Sequence, residues 1–342
     1  MSNKRIFMYA THTTLIDNES YTFMKRGFDV YTAAWATNSR SRGESPILAT
    51  NPLHPYKGKC DFLTDEDISV LSKIDIRRGN QVEYNNDVLE LLLDKFDVLY
   101  VFQVTPWLML YAKQFLEAGK KVIFRTSGQS LNAWGEPKNY RSLMIYRDFY
   151  LLASNPAELT IGAFKDIKKR VITIMISIHP ELIDSTSKLE NCGKYMFSVG
   201  PAPISTEDRV KKLLEPVIEW RLMNRNRGFT SVDEANKLYN SCYFYFDMTT
   251  NLFQYSAFEA ILHGKAILAL KNGAIYKFMK PGVKVGLEYW HNGYEDTKKI
   301  KFYLDNPKAL ARVYQAQRLW LDNLIIDANN KWDKFIEENV ND

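Results

Sequence analysis

Short apolar segments that alternate with helical patterns constrain the fold of this chain more than any other feature. Residues 5–10 are largely apolar, a helical pattern follows over 18–25, and residues 28–35 are again apolar. Gly27 stands where a glycine commonly ends a helix. Strand, helix and strand within about 30 residues form a βαβ unit, and its repetition predicts an α/β fold with a mostly parallel sheet.

The same alternation continues along the chain and divides it into two α/β halves. We place the join near 150–170 and interpret the turn-rich residues 37–60 as a long loop on the ligand-facing rim. The helix that spans 206–223 is expected to kink or break at Pro216. The other predicted strands are 97–104, 121–125, 171–178, 195–199, 242–247 and 265–270, and the other predicted helices are 87–95, 106–118, 231–240, 255–262 and 307–338.

The composition fits a globular protein and excludes several other classes. The chain has 342 residues and a net charge of +5, and 25% of its residues are charged, which is not the composition of a disordered chain. Cys60, Cys192 and Cys242 are far apart and odd in number, so they predict neither a disulfide framework nor a zinc site. We recognise no signal peptide and no apolar run of about 18 residues, so no transmembrane segment is predicted and a cytoplasmic location is expected.

One segment of the second half has the pattern of a phosphate-binding site. The predicted strand 242–247 leads into a polar loop, and a helix then begins near Tyr255 with Glu259 one turn inside it. A helix N-terminus presents unpaired N–H groups and a partial positive charge, which suit a diphosphate. A carboxylate one turn further on can accept hydrogen bonds from a ribose diol. The simpler alternative for Glu259 is an acid stabilised by the helix dipole.

This segment resembles the C-terminal domain of the GT-B glycosyltransferases. Glu259 stands where the second of two family glutamates stands, and Gly264-Lys265-Ala266-Ile267 matches the beginning of the next strand. Gly27-Phe28-Asp29-Val30, residues 176–182 and Leu304-Asp305-Asn306-Pro307 match further family segments in the same order. The resemblance covers most of 170–325, whereas the first half matches in rhythm only.

The resemblance implies an α/β fold with two Rossmann-like domains facing across a cleft. The acceptor domain is predicted over 1–165 and the nucleotide-sugar donor domain over 166–325. A C-terminal helix over 326–342 follows, and its return to the first domain is left open. No bound cofactor is implied, because the nucleoside-diphosphate sugar is the donor substrate.

The resemblance also implies a set of donor-binding residues. Asn251 replaces the first family glutamate, the usual Gly-rich turn is bulkier here, and the expected Arg and Lys are not evident after the strand that ends at Val199. The implied donor-binding residues are Glu259, Asn251, Gln254, Tyr255, Ser256 and Gly200.

Polar residues at the ends of first-half strands are the candidates for catalysis and acceptor binding. His12 follows the first strand, and Arg125, Thr126, Ser127 and Gln129 follow the strand 121–125. Ligands of open α/β sheets bind at such strand ends. We assign His12 and Ser127 as catalytic and Arg125, Thr126 and Gln129 as acceptor-binding, with an ordinary polar loop as the alternative.

Metal binding is not predicted. Asp65-Glu66-Asp67 contains an Asp-x-Asp pattern, but Thr64 precedes it and an apolar helix follows. That arrangement favours a helix cap over a metal site.

A looser resemblance concerns the acceptor. The strand end 122–130 with Trp134 and Asn139, together with 253–259, is similar to phage enzymes that glycosylate hydroxymethylcytosine in DNA. The leading hypothesis is therefore transfer to 5-hydroxymethylcytosine in phage DNA, in the host cytoplasm, with a nucleotide sugar and double-stranded DNA as partners. A DNA acceptor would use basic clusters to contact phosphates. The clusters are Lys165-Lys168-Lys169-Arg170, Arg209-Lys211-Lys212 and Lys298-Lys299-Lys301, together with Arg221, Arg225 and Arg227.

Three other functions stay open. The first is transfer to a cell-surface polysaccharide or a lipid-linked glycan. The second is a non-catalytic sugar-nucleotide-binding protein, and the third is a sugar-nucleotide epimerase with the same two-domain layout.

Overall fold

A computed structural model gives the structure of most of the chain. The described residues are 4–10, 13–34, 62–75, 77–78, 81–82, 85–102, 108–126, 136–154, 170–175, 177–183, 193, 195–199, 210–223, 232–248, 255–287 and 293–341. They form two compact units. Unit 1 comprises Met1–Ser177 with Asp327–Asp342, and unit 2 comprises Ile178–Ile326.

Unit 1 contains a parallel sheet of six strands in the order β2-β1-β3-β4-β5-β6. The strands are β1 Arg5–Ala10, β2 Asp29–Ala34, β3 Val98–Phe102, β4 Lys121–Arg125, β5 Phe149–Ala153 and β6 Val171–Thr173. Apolar side chains from the strands and from the surrounding helices form its core, with Phe7, Leu99 and Phe124 fully buried. Strands buried on both faces have few polar breaks, as the sequence of β3 shows.

Unit 2 contains a second parallel sheet, of five strands in the order β8-β7-β9-β10-β11. The strands are β7 Tyr195–Val199, β8 Glu219–Met223, β9 Phe244–Asp247, β10 Ile267–Leu270 and β11 Gly286–Leu287. Its core includes Met196, Phe244 and Leu268, which are fully buried. The prediction of an α/β fold with two parallel sheets is confirmed.

Helices connect the parallel strands. They are α1 Thr13–Met24, α2 Asp65–Leu71, α3 Asn86–Lys95, α4 Leu108–Glu117, α5 Glu136–Leu143, α6 Val232–Ser241, α7 Tyr255–Leu262, α8 Ala274–Phe278, α9 Gly293–Asp305 and α10 Pro307–Asn339. Gly27, Gly119 and Gly264 follow α1, α4 and α7 with positive φ angles of 83°, 72° and 79°. The side chain of Thr64 accepts from the backbone N–H of Asp67, and the Asp67 carboxylate accepts from that of Thr64, so the predicted cap on α2 is confirmed.

Two sequence-based elements are wrong in part. Residues 219–223, predicted as the end of a helix, form the edge strand β8, and among the described residues 210–214 are helical before the turn that contains Pro216. Trp220 is buried between the exposed residues Glu219 and Arg221, an alternation that suits an edge strand. The strand predicted over 171–178 ends at Thr173. Beyond it, the carbonyls of Ile174 and Met175 accept hydrogen bonds from Arg125. The predicted loop 37–60 lies outside the described residues.

Candidate functional site

The strand order of unit 2 brings two strand ends and the start of a helix together. Its first strand, β7, pairs with β8 on one side and with β9 on the other. The connections that leave β7 and β9 therefore diverge to opposite faces, and the crevice at such a switch point is where open α/β sheets bind ligands. Val199 ends β7, and Asp247 ends β9.

The phenol of Tyr245 links the two strand ends to the first turn of α7. Its oxygen accepts a hydrogen bond from the backbone N–H of Val199 at 3.3 Å and donates to Ser256 Oγ at 2.8 Å. Burial raises the pKa of Tyr245, and the nearby carboxylate of Asp247 raises it further, so the phenol stays protonated. The neutral phenol therefore fixes the N-terminus of α7 relative to β7.

Helix α7 carries one charged residue, Glu259, on an otherwise apolar sequence. Six of its residues are buried, whereas Tyr255 and Glu259 are half-buried. Glu259 Oε2 accepts a hydrogen bond from Tyr239 Oη at 3.1 Å. The carboxylate thus lies one turn from the N–H groups that begin α7, which is the arrangement that the sequence predicts for a nucleotide diphosphate.

The two basic residues that follow α7, His263 and Lys265, both contact Asn240. His263 Nδ1 lies 2.9 Å from Asn240 Oδ1, and burial together with nearby Lys265 lowers the pKa of His263 to about 4. Lys265 is fully buried, and its ammonium donates to the carbonyl of Asn240 at 2.9 Å. His263 is therefore neutral at physiological pH.

The predicted site residues that the structure describes fall into two groups. Glu259, Tyr255 and Ser256 come together on the first turns of α7. Arg125 and Thr126 lie in unit 1, at the end of β4. The other predicted residues, Asn251, Gln254, Gly200, His12, Ser127 and Gln129, lie outside the described residues.

Arg125 is the centre of a buried polar cluster. Its Nε donates to Tyr100 Oη at 3.0 Å, and its Nη2 lies 3.1 Å from Glu19 Oε1. Its remaining donors reach the carbonyls of Ile174 and Met175, at 2.8 and 3.3 Å. The guanidinium is fully buried and these contacts hold it within unit 1, and its assignment as an acceptor-binding residue stays a prediction.

Glu19 and Tyr100 complete the cluster. Glu19 accepts from Tyr100 Oη at 2.7 Å and from the backbone N–H of Ser177 at 2.9 Å. Burial opposes the charge on Arg125, but Glu19 and Tyr100 outweigh it and raise the pKa of the guanidinium. The cluster joins α1, β3, β4 and the segment after β6.

Thr126, the next residue along the chain, is also buried. It is 1% exposed, and its N–H donates to the carbonyl of Leu152 while its own carbonyl accepts from Ser154 Oγ. The backbone of Thr126 is thus engaged in unit 1, and its assignment as an acceptor-binding residue stays a prediction.

Three of the residues in the predicted basic clusters lie on α9. Lys298 pairs with Glu295 at 3.3 Å, and the ammonium of Lys299 bonds the carbonyl of Gly286. Lys301 is exposed. Within the described residues, no group of acidic, histidine and cysteine side chains is arranged to hold a metal ion. No described helix has the length and apolar character that crossing a membrane requires.

Sequence reasoning missed the two tyrosines of this site. In the sequence, Tyr239 and Tyr245 look like ordinary core residues of an aromatic segment. Both are indeed buried in the structure. The order of the elements could have indicated them. Tyr245 lies on the strand between the helices that hold Tyr239 and Glu259, so side chains of all three elements can meet at α7. Pattern alone does not indicate which hydroxyl reaches which partner.

Comparisons with known proteins identify the fold. No protein-family model matches the sequence, and no curated protein matches it significantly. Anabaena Alr3699/HepE in complex with UDP aligns over 98% of this chain and 100% of its own, with 14% identity and a TM-score of 0.61. The same protein in complex with UDP-glucose aligns with 13% identity and a TM-score of 0.59.

Two further structures extend the comparison. Sucrose-phosphate synthase from Thermosynechococcus elongatus aligns over 98% of this chain and 99% of its own, at 10% identity and a TM-score of 0.59. UDP-GlcNAc 2-epimerase from Methanocaldococcus jannaschii aligns over 86% and 92%, at 10% identity and a TM-score of 0.50. At these identities the likeness establishes a fold. The chain therefore has the GT-B fold, with one Rossmann-like parallel sheet in each of its two units.

Proposed function

We propose that this chain is a glycosyltransferase that transfers a sugar from a nucleoside-diphosphate sugar, with UDP as the nucleotide, to a hydroxyl acceptor. The observation that carries the proposal is the position of Glu259, one turn inside α7 at the switch point of the second sheet. The structures with the same fold that hold UDP and UDP-glucose support the choice of nucleotide.

The residues of α7 have distinct roles in this proposal. The N–H groups of its first turn and Ser256 bind the diphosphate, while Glu259 accepts hydrogen bonds from the ribose hydroxyls. During transfer the bond between the anomeric carbon and the diphosphate oxygen breaks, and a bond to the acceptor oxygen forms. The helix N-terminus stabilises the charge that develops on the departing diphosphate. His12 is the proposed base that takes the acceptor proton.

The proposed acceptor is 5-hydroxymethylcytosine in phage DNA. Support comes from the similarity of 122–130 and 253–259 to phage enzymes and from exposed cations such as Lys211, Lys212 and Lys301. Phosphate contacts by such cations make binding fall steeply as salt rises. A surface polysaccharide or lipid-linked glycan is the alternative acceptor.

Ligand binding tests the donor site. UDP at 100 times its dissociation constant is expected to add about 2.7 kcal/mol to the free energy of unfolding, seen as a rise in Tm. Glu259→Ala should remove most of this rise without lowering the Tm of the free protein by more than a few degrees. Glu215→Ala, which removes an exposed carboxylate of the same unit, is the matched control and should leave the rise intact.

Product analysis tests the reaction and the acceptor. The protein is incubated with UDP-glucose and either hydroxymethylated duplex DNA, unmodified duplex DNA or a glycan. Release of UDP with glucose joined to the hydroxymethylated duplex alone supports the DNA acceptor, and transfer to the glycan alone replaces it. Binding of UDP without any product would favour a non-catalytic binding protein, and conversion of the free sugar nucleotide would favour an epimerase.

A further inference from the structure

Tyr239 lies beneath the proposed ribose-binding carboxylate. It is 2% exposed, and its Oη is 3.1 Å from Glu259 Oε2 and 3.2 Å from the carbonyl of Ser256. Tyr239 belongs to α6, the helix before β9, whereas Glu259 and Ser256 belong to α7, the helix after it. One buried phenol therefore links the carboxylate to the helix turn that precedes it.

The ring of Tyr239 is itself held in place by other rings. The imidazole of His263 stacks on it, with centroids 5.0 Å apart and an interplanar angle of 5°. The ring of Phe197 meets it edge-on at 5.0 Å, and the ring of Tyr245 is tilted against it at 5.9 Å. With three aromatic neighbours, the phenol oxygen has a fixed direction toward Glu259.

Held in this way, the phenol restrains a side chain that otherwise has several rotamers. A glutamate bound to nothing loses conformational freedom when a ligand fixes it, and this loss weakens binding. The hydrogen bond from Tyr239 restricts Glu259 before the ligand arrives. A carboxylate that already accepts one bond from the protein keeps acceptor capacity for hydroxyl donors, because its two oxygens offer about four sites.

We propose that Tyr239 is a positioning residue, which orients the Glu259 carboxylate toward the ribose diol of the bound nucleotide. This inference rests on the proposed function, in which Glu259 binds that diol. It assigns Tyr239 to ribose recognition and not to contact with the diphosphate or the base. The protein should therefore distinguish ribose from its dideoxy form partly through a residue that never touches the ligand.

The experiment compares UDP with 2′,3′-dideoxy-UDP by titration calorimetry. Tyr239→Phe keeps the ring and its stacking and removes the hydroxyl. It is expected to weaken UDP binding about five- to tenfold, while leaving the dideoxy nucleotide unchanged. In the Glu259→Ala background the same substitution should have no further effect, since the two residues act through one hydrogen bond.

Tyr195→Phe is the matched control. Tyr195 Oη donates to the carbonyl of Leu238 at 3.0 Å and bonds Ser241 Oγ, so these hydrogen bonds hold it to α6 and not to Glu259. Its removal should leave both nucleotides bound as in the wild type. This control separates a general loosening of α6 from loss of the bond to Glu259.

The outcomes separate the inference from the proposed function. If the wild type and Glu259→Ala bind UDP equally, or neither binds it, the proposed donor site is wrong. If Glu259→Ala loses affinity while Tyr239→Phe binds UDP like the wild type, the donor site stands and the positioning role is overturned. Equal weakening of UDP and dideoxy-UDP by Tyr239→Phe would mean a structural role only and would also overturn it.

Discussion

The buried pair of Arg125 and Glu19 allows a quantitative test of how unit 1 is stabilised. The two side chains are 0% and 1% exposed and lie 3.1 Å apart. Removing one partner leaves a charge in a medium that solvates it poorly, which costs about 3–5 kcal/mol. Arg125→Met and Glu19→Leu should each lower the free energy of unfolding of unit 1 by this amount.

The assay is urea unfolding followed by brief proteolysis, with the surviving fragments identified by mass spectrometry. This readout follows unit 1 separately from unit 2, so that one transition need not describe both. With a urea dependence of about 2.5 kcal/mol/M, a loss of about 4 kcal/mol corresponds to a midpoint shift of about 1.6 M. The double substitution should cost at least about 2 kcal/mol less than the sum of the single ones, because no unpaired charge remains.

An exposed pair in the same unit provides the control. Lys331 and Asp327 are closer, at 2.7 Å, but their side chains are 49% and 60% exposed. Lys331→Ala should therefore cost less than about 1 kcal/mol, because water already solvates both charges. If Arg125→Met costs no more than Lys331→Ala, burial does not decide the strength of these pairs and the reasoning is refuted.

Two further predictions concern unit 2. The unfolded chain protonates His263 near pH 6.5 and the folded chain only near pH 4, so the free energy of unfolding should fall by up to about 3 kcal/mol as pH falls through that window. Denaturation at several pH values should show a weaker fall in His263→Gln, and an identical fall would contradict the assignment. Gln317 is fully buried and bonds the N–H and carbonyl of Ile267 and the carbonyl of Val283, at 2.7, 2.9 and 3.0 Å. Gln317→Leu should cost about 3 kcal/mol in urea unfolding, and a cost below 1 kcal/mol would refute it.

Local patterns predicted the helix α7 with the bounds that the structure has. Its sequence is mostly apolar, and Gly264 follows it in a conformation with positive φ that favours glycine. Glu259 stands out in that run as the single charge. Such features depend on neighbours in the sequence, which is why they can be recognised without a structure.

Contacts between distant segments account for what the sequence did not predict. Arg125 is at a strand end, where ligand binding is common, but Glu19 and Ile174 are far away in the sequence and occupy its donors. The edge strand β8 was interpreted as helix because its charged residues resemble the solvent face of one. Its pairing with β7 decides the outcome, and pairing is a tertiary property.

The helix α10 belongs to both units, because the division between them falls inside it, after Ile326. Trp332 on its last part is fully buried, with its ring against Phe23 at 5.4 Å and the guanidinium of Arg125 at 5.2 Å from it. Lys4 donates to the carbonyls of Val340 and Asn341 at the end of the chain.

Synthesis on the ribosome therefore completes the two units in reverse order. Domains fold as units, and usually the N-terminal one is finished first. Here unit 2 is one continuous segment, whereas the core of unit 1 lacks Trp332 until the residues after unit 2 have been made. A nascent chain that stops before 327 lacks the indole ring that packs against Arg125, so the first domain closes only after the segment that follows unit 2 has been made.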